Sequence, residues 1–380
     1  MKIWLIQNII SPYRIKLFQT ISETRDVEFK LILLSDGLKY LPQWNFKAED
    51  MPFKAESVGG FVFYPGYESQ ICINPSLLVK MIKEKPDVVI CAGFSFASLT
   101  TLIYKLIFKG RYIIWMEGTH ITEANRSKPR IALRKLMARY ASGFVDAGTL
   151  SKKYLQALLP KQQSKPFFRS YNCIDNKKFE DDAVIDSEEL KKFRKRYCDR
   201  NILFIGQLIK RKGIIQILET YKKIVENHDI SLGLILVGEG PMRDYIETFK
   251  EKYQLHNIFI EGFLDNDLLG QYYGFCDLFI LLSLNDPNPL VVFEALATGI
   301  PIICSNHAGN SVDFIVDGEN GYTVDPNDKE SIFRHVREVL SWDSHKRRKA
   351  AEMSRQLVSR ANYTDSAKAF VDACRFVMEN

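Results

Sequence analysis

This 380-residue chain has no membrane-length apolar run, no paired-cysteine spacing, no histidine cluster and no glycine-rich dinucleotide fingerprint. Each absence excludes a class of protein. The nearest approach to a membrane span, Val88 to Tyr104, is uncharged but interrupted by Gly93, Ser95, Ser98, Thr100 and Thr101, so it reads as strand, loop and buried helix. MKIWLIQNII at the start runs into Ser-Pro-Tyr-Arg without a small-residue cleavage site, which suits a first buried strand better than a signal peptide. Seven cysteines, at 72, 91, 173, 198, 276, 304 and 374, are scattered and several sit in apolar runs. They read as reduced, buried thiols of a cytosolic protein. Six histidines (120, 228, 256, 307, 335, 345) show no HxxxH or Cys/His grouping, so no metal and no cofactor is expected. Neither half opens with Gly-x-Gly-x-x-Gly after its first strand, which disfavours a Rossmann oxidoreductase.

Acidic residues are scarce in the first half. Residues 1–180 hold 27 Lys and Arg against 15 Asp and Glu, a charge of +12, while 181–380 hold 25 against 31, or −6. Between 101 and 169, fourteen basic residues face only Glu117, Glu123 and Asp146. Within that stretch Ser127 to Tyr140 sets Ile131, Leu133, Leu136, Met137 and Tyr140 among five Lys and Arg, a basic amphipathic helix. It could lie on an anionic membrane surface or pack on the core with a solvated basic face. Nucleic acid is not expected, because no binding motif or aromatic interleaving accompanies the charge.

Hydrophobic residues at 46% and charged residues at 26% describe a globular protein, and the length points to two domains. Strand-like apolar runs at Lys2–Ile6, Val27–Leu33, Asp87–Cys91, Tyr112–Met116 and Gly143–Ala147 alternate with helical patterns. The second half repeats this with Ile202–Ile205, Leu232–Val237, Ile258–Ile260, Leu278–Leu282, Ile300–Cys304 and Tyr322–Val324. Such alternation predicts two doubly wound α/β domains, each a parallel sheet covered on both faces. The change of grammar between Phe168 and Glu188 places the linker there. A helical face from Thr364 to Met378 ends the chain.

Ser283 to Gly299, SLNDPNPLVVFEALATG, carries the most chemistry. Asn288 reads as an N-cap and Pro289 as the first helical residue, which puts Asp286 in the loop and Glu294 in the helix. Between these acids the free N–H groups of the first turn, Leu290 and Val291 among them, form an anion site. Two carboxylates around an anion site suit a phosphorylated polyol such as a sugar nucleotide. A second cradle is Gly206-Gln207-Leu208-Ile209-Lys210-Arg211-Lys212-Gly213, a basic loop between a strand and a helix. Val237-Gly238-Glu239-Gly240-Pro241 closes another strand with two glycines. Asp265-Asn266-Asp267 matches an Asp-x-Asp metal motif, but Asp265 stands where a helix N-cap belongs.

Taken in order, Gly-x-Leu-x-x-x-Lys-Gly at 206–213, Val-Gly-Glu-Gly-Pro at 237–241, Asp277-Leu278-Phe279, Glu294-Ala295-Leu296-Ala297-Thr298-Gly299-Ile300-Pro301 and Asp317-Gly318-Glu319-Asn320-Gly321 resemble the retaining glycosyltransferases of family 4. The likeness covers the second half and is weaker in the first, where Ser11-Pro12-Tyr13-Arg14 looks similar. It implies a GT-B fold: two facing Rossmann-like domains with an interdomain cleft. Residues 1–170 would bind the acceptor, 171–361 the sugar nucleotide, and the helix over about 362–380 would pack back on the first domain. By the family pattern Lys212 would bind the donor diphosphate, Glu294 the ribose and Asp286, where Glu is usual, the transferred sugar. Gly206, Gln207, Arg211, Asn288, Leu290 and Val291 would line the donor. Gln207 stands where an Arg is common, leaving Lys210 or Arg211 to compensate, and Pro289 removes an N–H that a Gly would offer. Glu117 follows the strand after which the family often has a His, and His120 lies three residues later; both are candidates for orienting substrates.

The implied activity is retaining transfer from a UDP- or GDP-sugar to a hydroxyl of a glycan or lipid-linked glycan, in bacterial surface-polysaccharide assembly, in the cytoplasm and peripherally on the membrane. A sugar-nucleotide epimerase or phosphorylase of the same fold, or a nucleotide-sugar-binding protein that has lost catalysis, are the alternatives.

Overall fold

A computed structural model describes residues 1–35, 37, 46–66, 69–161, 164–227 and 231–379. The chain divides into two units, Met1–Cys173 with Ala361–Asn380, and Ile174–Arg360. His228 lies outside the described residues.

Unit 1 is built on a seven-stranded parallel sheet. Its strands are β1 (Lys2–Gln7), β2 (Glu28–Leu33), β3 (Ala55–Ser57), β6 (Val88–Ala92), β7 (Arg111–Met116), β8 (Gly143–Asp146) and β9 (Phe167–Arg169), while β4 (Phe61–Gly66) and β5 (Ser69–Ile73) form a separate antiparallel hairpin. The order is β3-β2-β1-β6-β7-β8-β9. The short edge strands β3 and β9 are not foreseen because three residues leave no periodicity to detect, and the hairpin is not because Pro65 and Gly66 interrupt β4. Phe167–Arg169, read as the edge of a linker, pairs instead with β8. Helices α1 (Ile15–Ser22), α2 (Ser76–Glu84), α3 (Phe96–Phe108), α4 (Lys128–Tyr140) and α5 (Thr149–Leu158) follow the strands. The last four cover one face of the sheet, where Leu77, Met81, Leu102, Met137 and Leu155 share a core with Trp4, Ile114 and Phe144.

Unit 2 holds β10 (Arg200–Ile205), β11 (Leu232–Val237), β12 (Ile258–Gly262), β13 (Leu278–Leu281), β14 (Ile302–Ser305) and β15 (Gly321–Val324), ordered β12-β11-β10-β13-β14-β15 and parallel throughout. Counted within the unit this is 3-2-1-4-5-6, the doubly wound order whose ligands bind beyond the carboxyl ends of the strands where the order reverses. That point lies between β10 and β13. Its helices are α6 (Asn176–Asp182), α7 (Ser187–Arg196), α8 (Ile214–Asn227), α9 (Arg243–Lys252), α10 (Asn266–Phe275), α11 (Leu290–Thr298), α12 (Ser311–Phe314), α13 (Lys329–Leu340) and α14 (Ser344–Val358). Every one of the eleven strand-like runs read from sequence forms a strand within a residue or two of its expected limits.

The last helix, α15 (Tyr363–Glu379), returns to unit 1 and with α1 covers the second face of its sheet. Phe370 is fully buried there and meets the Trp115 ring edge-on, with centroids 5.1 Å apart.

Candidate functional site

Two loops leave the switch point of unit 2, and the backbone stitches them together. From β10 the chain turns through Gly206 into a basic 3-10 turn, Lys210–Lys212, and escapes it at Gly213, whose φ of +78° is left-handed. A Cβ at Gly213 would sit 1.9 Å from the carbonyl oxygen of Leu282, so no side chain fits. From β13 the second loop runs through Ser283 to Pro289. The Leu284 amide donates to the Arg211 carbonyl at 2.8 Å, and the Arg211 guanidinium donates to the Asn285 carbonyl at 3.3 Å. A third loop locks the first, with Leu208 donating to the Glu239 carbonyl and accepting from Met242, each at 2.9 Å.

This stitching carries Lys212 onto Asp286. The ammonium donates directly to Oδ2 of a carboxylate whose residue is only 5% exposed, and Nη1 of Arg211 stands 3.9 Å from the same oxygen. Burial at this depth is tolerable for a carboxylate because the cation accompanies it.

Helix α11 supplies the second acid. Its N-cap is Pro289, with extended ψ of 120°, rather than Asn288 with Pro289 in the first turn. The Pro289 carbonyl accepts the Val292 amide at 3.3 Å and the Asn310 side-chain amide at 2.9 Å, so the hydrogen bonding of the first turn starts from Pro289. The Asn288 side chain therefore caps nothing; both its amide atoms are buried without a partner, as are Ser283 Oγ and Asn310 Oδ1. A concentration of orphaned polar atoms beside a helix start marks a place that a polar ligand or water would satisfy.

Glu294, one turn into α11, accepts from the Tyr273 hydroxyl at 2.9 Å. Its surface is partly accessible, but its carboxyl is enclosed enough that burial pushes its pKa up to about 7, against the opposing pull of the Tyr273 hydroxyl and the positive charge of Lys212. Lys212 thus pairs with Asp286 and its charge also acts on Glu294. Arg211, Lys212, Asp286 and Glu294 come together with the N-terminus of α11, where Leu290 and Val291 are partly accessible. Gly206 and Gln207 open the basic loop, both partly accessible. Tyr273 was not singled out from sequence: it lies 21 positions before Glu294, and only the packing of α10 on α11 makes them neighbours.

In unit 1, Glu117 follows β7 and pairs with Arg14 at 2.5 Å. Arg14 sits in the short turn after β1, donates also to Gln7 at 3.1 Å, and lies 4.3 Å above the Trp115 ring. Gln7 Nε2 and Arg14 Nε are buried without partners. His120 points elsewhere: it is exposed and stacks edge-on against Tyr154, centroids 5.5 Å apart. The two candidates of this loop therefore have separate surroundings. Arg14, at the end of the Ser-Pro-Tyr-Arg stretch, is the partner that sequence reading left without a role.

The Asp-x-Asp stretch builds no cation cage. Asp265 takes the N-cap position of α10 without a side-chain bond, and Asp267 is exposed and pairs with Lys178 at 2.9 Å. Among the described residues no group of three His, Cys, Asp or Glu could hold a metal ion, and no helix is long and apolar enough to cross a membrane.

Residues 186–357 match the family model described as glycosyl transferases group 1. An uncharacterized glycosyltransferase of Methanocaldococcus jannaschii is 30% identical over 55% of this chain and 54% of its own length. The Campylobacter jejuni N-acetylgalactosamine-N,N'-diacetylbacillosaminyl-diphospho-undecaprenol 4-alpha-N-acetylgalactosaminyltransferase is 26% identical over 55% of this chain and 52% of its own. The chain thus spans about half the length of the curated relatives it matches. Among solved structures, Anabaena HepE in complex with UDP superposes with a TM-score of 0.74 at 16% identity, covering 98% of each chain. The fold is GT-B, with two Rossmann-like α/β domains.

Proposed function

We propose, from the match of residues 186–357 to glycosyl transferases group 1, that the protein transfers a sugar from a nucleotide-sugar donor to a hydroxyl of a glycan or lipid-linked glycan, with retention at the anomeric carbon. One observation carries the reading: a lysine, two carboxylates and a helix N-terminus converge at the switch point of a 3-2-1-4-5-6 sheet. Lys212, supported by Arg211, meets the diphosphate together with the free N–H groups of α11. Glu294 accepts from the ribose hydroxyls. Asp286 accepts from the transferred sugar, and Asn288 offers its unpaired amide to the same ligand. Gly206 and Gln207 border the phosphates.

In the reaction the bond from the anomeric carbon to the β-phosphate oxygen breaks and the acceptor oxygen bonds to that carbon from the same face. The acceptor proton passes to the departing phosphate. Negative charge grows on the leaving diphosphate, where a fixed ammonium and preoriented N–H dipoles stabilise it without reorganising. Glu117, held by Arg14, and the exposed His120 are assigned to orienting the acceptor.

A uridine donor is the first to try, since HepE is solved with UDP. A lipid-linked acceptor draws support from the Campylobacter relative, whose name specifies a diphospho-undecaprenol glycan, and the site is assigned to the cytoplasmic side of a bacterial surface-polysaccharide route. The test is nucleoside diphosphate release from a panel of nucleotide sugars with acceptor present. Glu294→Ala and Lys212→Ala should each abolish it. Undiminished release in both variants would remove the site assignment, and conversion of a nucleotide sugar without acceptor would make the protein an epimerase.

A further inference from the structure

A cavity of about 250 Å³ opens in unit 2 among the C-terminal ends of α6, α10 and α11 and one face of α14. Helix C-termini carry partial negative charge, and here two arginines answer it. Arg347 and Arg355 stand eight residues apart on α14, two turns along one stripe, and both line the cavity. Main-chain carbonyls hold them in place. Arg347 donates to those of Asp277 at 2.7 Å and Trp342 at 3.0 Å, and Arg355 to that of Thr298 at 3.0 Å.

Among the described residues neither guanidinium has a carboxylate to itself. Glu180 stands 3.4 Å from Arg355 but also pairs with Lys177 at 3.5 Å. Asp277 stands 3.8 Å from Arg347, while its other oxygen accepts from the Asn201 amide at 2.9 Å. Burial lowers the Arg347 pKa, Asp277 opposes that, and the charge of nearby Arg200 lowers it further. The balance of charge at the cavity is therefore positive, and Val184, Cys276 and Ile300 complete the wall without adding any.

We propose that this cavity binds a small phosphate dianion, free or as the monoester of a small metabolite, between Arg347 and Arg355, and that its occupancy is passed to Glu294. Two planar donor groups fixed on one stripe offer more N–H bonds than a single carboxylate can accept, whereas a phosphate has oxygens for both. Two links run from the cavity to the donor cluster. Tyr273 lines it and donates its hydroxyl to Glu294 at 2.9 Å. Arg355 caps the last turn of α11, the helix that carries Glu294, through the Ala297 carbonyl at 3.4 Å and that of Thr298. An anion that engages Arg355 competes with those carbonyls and loosens the turn. The binding stands apart from the transfer reading; the coupling rests on it.

The test is calorimetric titration of inorganic phosphate into the full chain at constant ionic strength, with Lys212→Ala as the background that removes the donor-site cation. Phosphate should bind saturably to the parent and to Lys212→Ala alike. Arg355→Gln should weaken it at least about tenfold, through loss of charge-assisted contact. Val184 is 78% exposed at the mouth, so Val184→Asp folds as the parent does and should weaken phosphate about fivefold by repulsion. Phosphate should also weaken UDP binding about fivefold more in the parent than in Arg355→Gln, because direct competition for the diphosphate site is common to both. No saturable phosphate binding, binding abolished by Lys212→Ala, or binding unchanged in both Arg355→Gln and Val184→Asp would overturn the site. Equal weakening of UDP in the parent and Arg355→Gln would overturn the coupling. Failure of every protein to bind UDP would remove the transfer reading and the coupling with it, with phosphate binding still standing.

Discussion

Glu294 is held at odds with its own charge. An ordinary glutamate is ionised well below neutrality, but here burial raises its pKa to about 7, so between roughly pH 4.5 and 7 the folded chain keeps a proton that the unfolded chain releases. Stability is then greatest below about pH 4.5 and declines as pH rises towards 7, by up to about 3 kcal/mol for this group. Glu294→Gln should flatten that slope in chemical denaturation and be the more stable protein at pH 8. Lys212 presents the opposite case, a cation required by a buried anion. Lys212→Met leaves Asp286 with only Arg211 at 3.9 Å, and equilibrium unfolding should show a loss of about 3 kcal/mol. Lys212→Met/Asp286→Asn should recover much of it. A double variant no more stable than the single one would show that the pair is not what that lysine supports.

Loops that carry these side chains are fixed by close backbone approach. Gly213→Ala must displace the Leu282 carbonyl, which a Cβ would reach at 1.9 Å, and should cost at least about 3 kcal/mol while weakening nucleotide binding, because the Lys212 and Asp286 loops would separate. Gly318 is a control of matching dihedral: its φ is +76°, but the nearest atom to a Cβ is the Tyr322 hydroxyl at 3.4 Å. Gly318→Ala should cost only about 1 kcal/mol, from backbone conformation alone. Equal losses in the two variants would mean that conformation, not contact, sets the cost. The start of α11 shows where sequence rules stop. Asn-Pro before an apolar run reads as cap and first turn, yet Pro289 itself takes the cap position and shares its carbonyl with Asn310, 21 positions away. Tyr273 on Glu294 and Arg14 on Glu117 are of the same kind, pairs set by packing between elements. Lys212, Asp286 and Glu294 were legible because each sits at a fixed offset from a strand end or helix start, which local pattern does record.

For the whole chain, the alternation of long apolar runs with amphipathic segments was enough to read two doubly wound sheets, since a buried parallel strand needs an unbroken apolar stretch. Short edge strands carry too few residues for that signal, and Pro65 and Gly66 break the pattern in β4 of the hairpin. Chain return is a global feature of the same kind: α15 is helical by pattern, but its place on unit 1 depends on the pocket around Trp115 that receives Phe370. Phe370→Ala should cost about 3 to 5 kcal/mol, and hydrogen exchange should accelerate in β1, β6 and β7 while β10 and β13 are unchanged. Acceleration in both sheets would contradict the assignment of α15 to unit 1. Unit 2 is proposed to grip a nucleotide sugar through one cluster, Lys212, Asp286 and Glu294. Calorimetric titration of UDP and UDP-sugars into the parent chain, Lys212→Ala and Glu294→Ala measures that grip. Saturable binding by the parent that weakens at least tenfold in each variant is expected; binding of equal strength in all three proteins would contradict it.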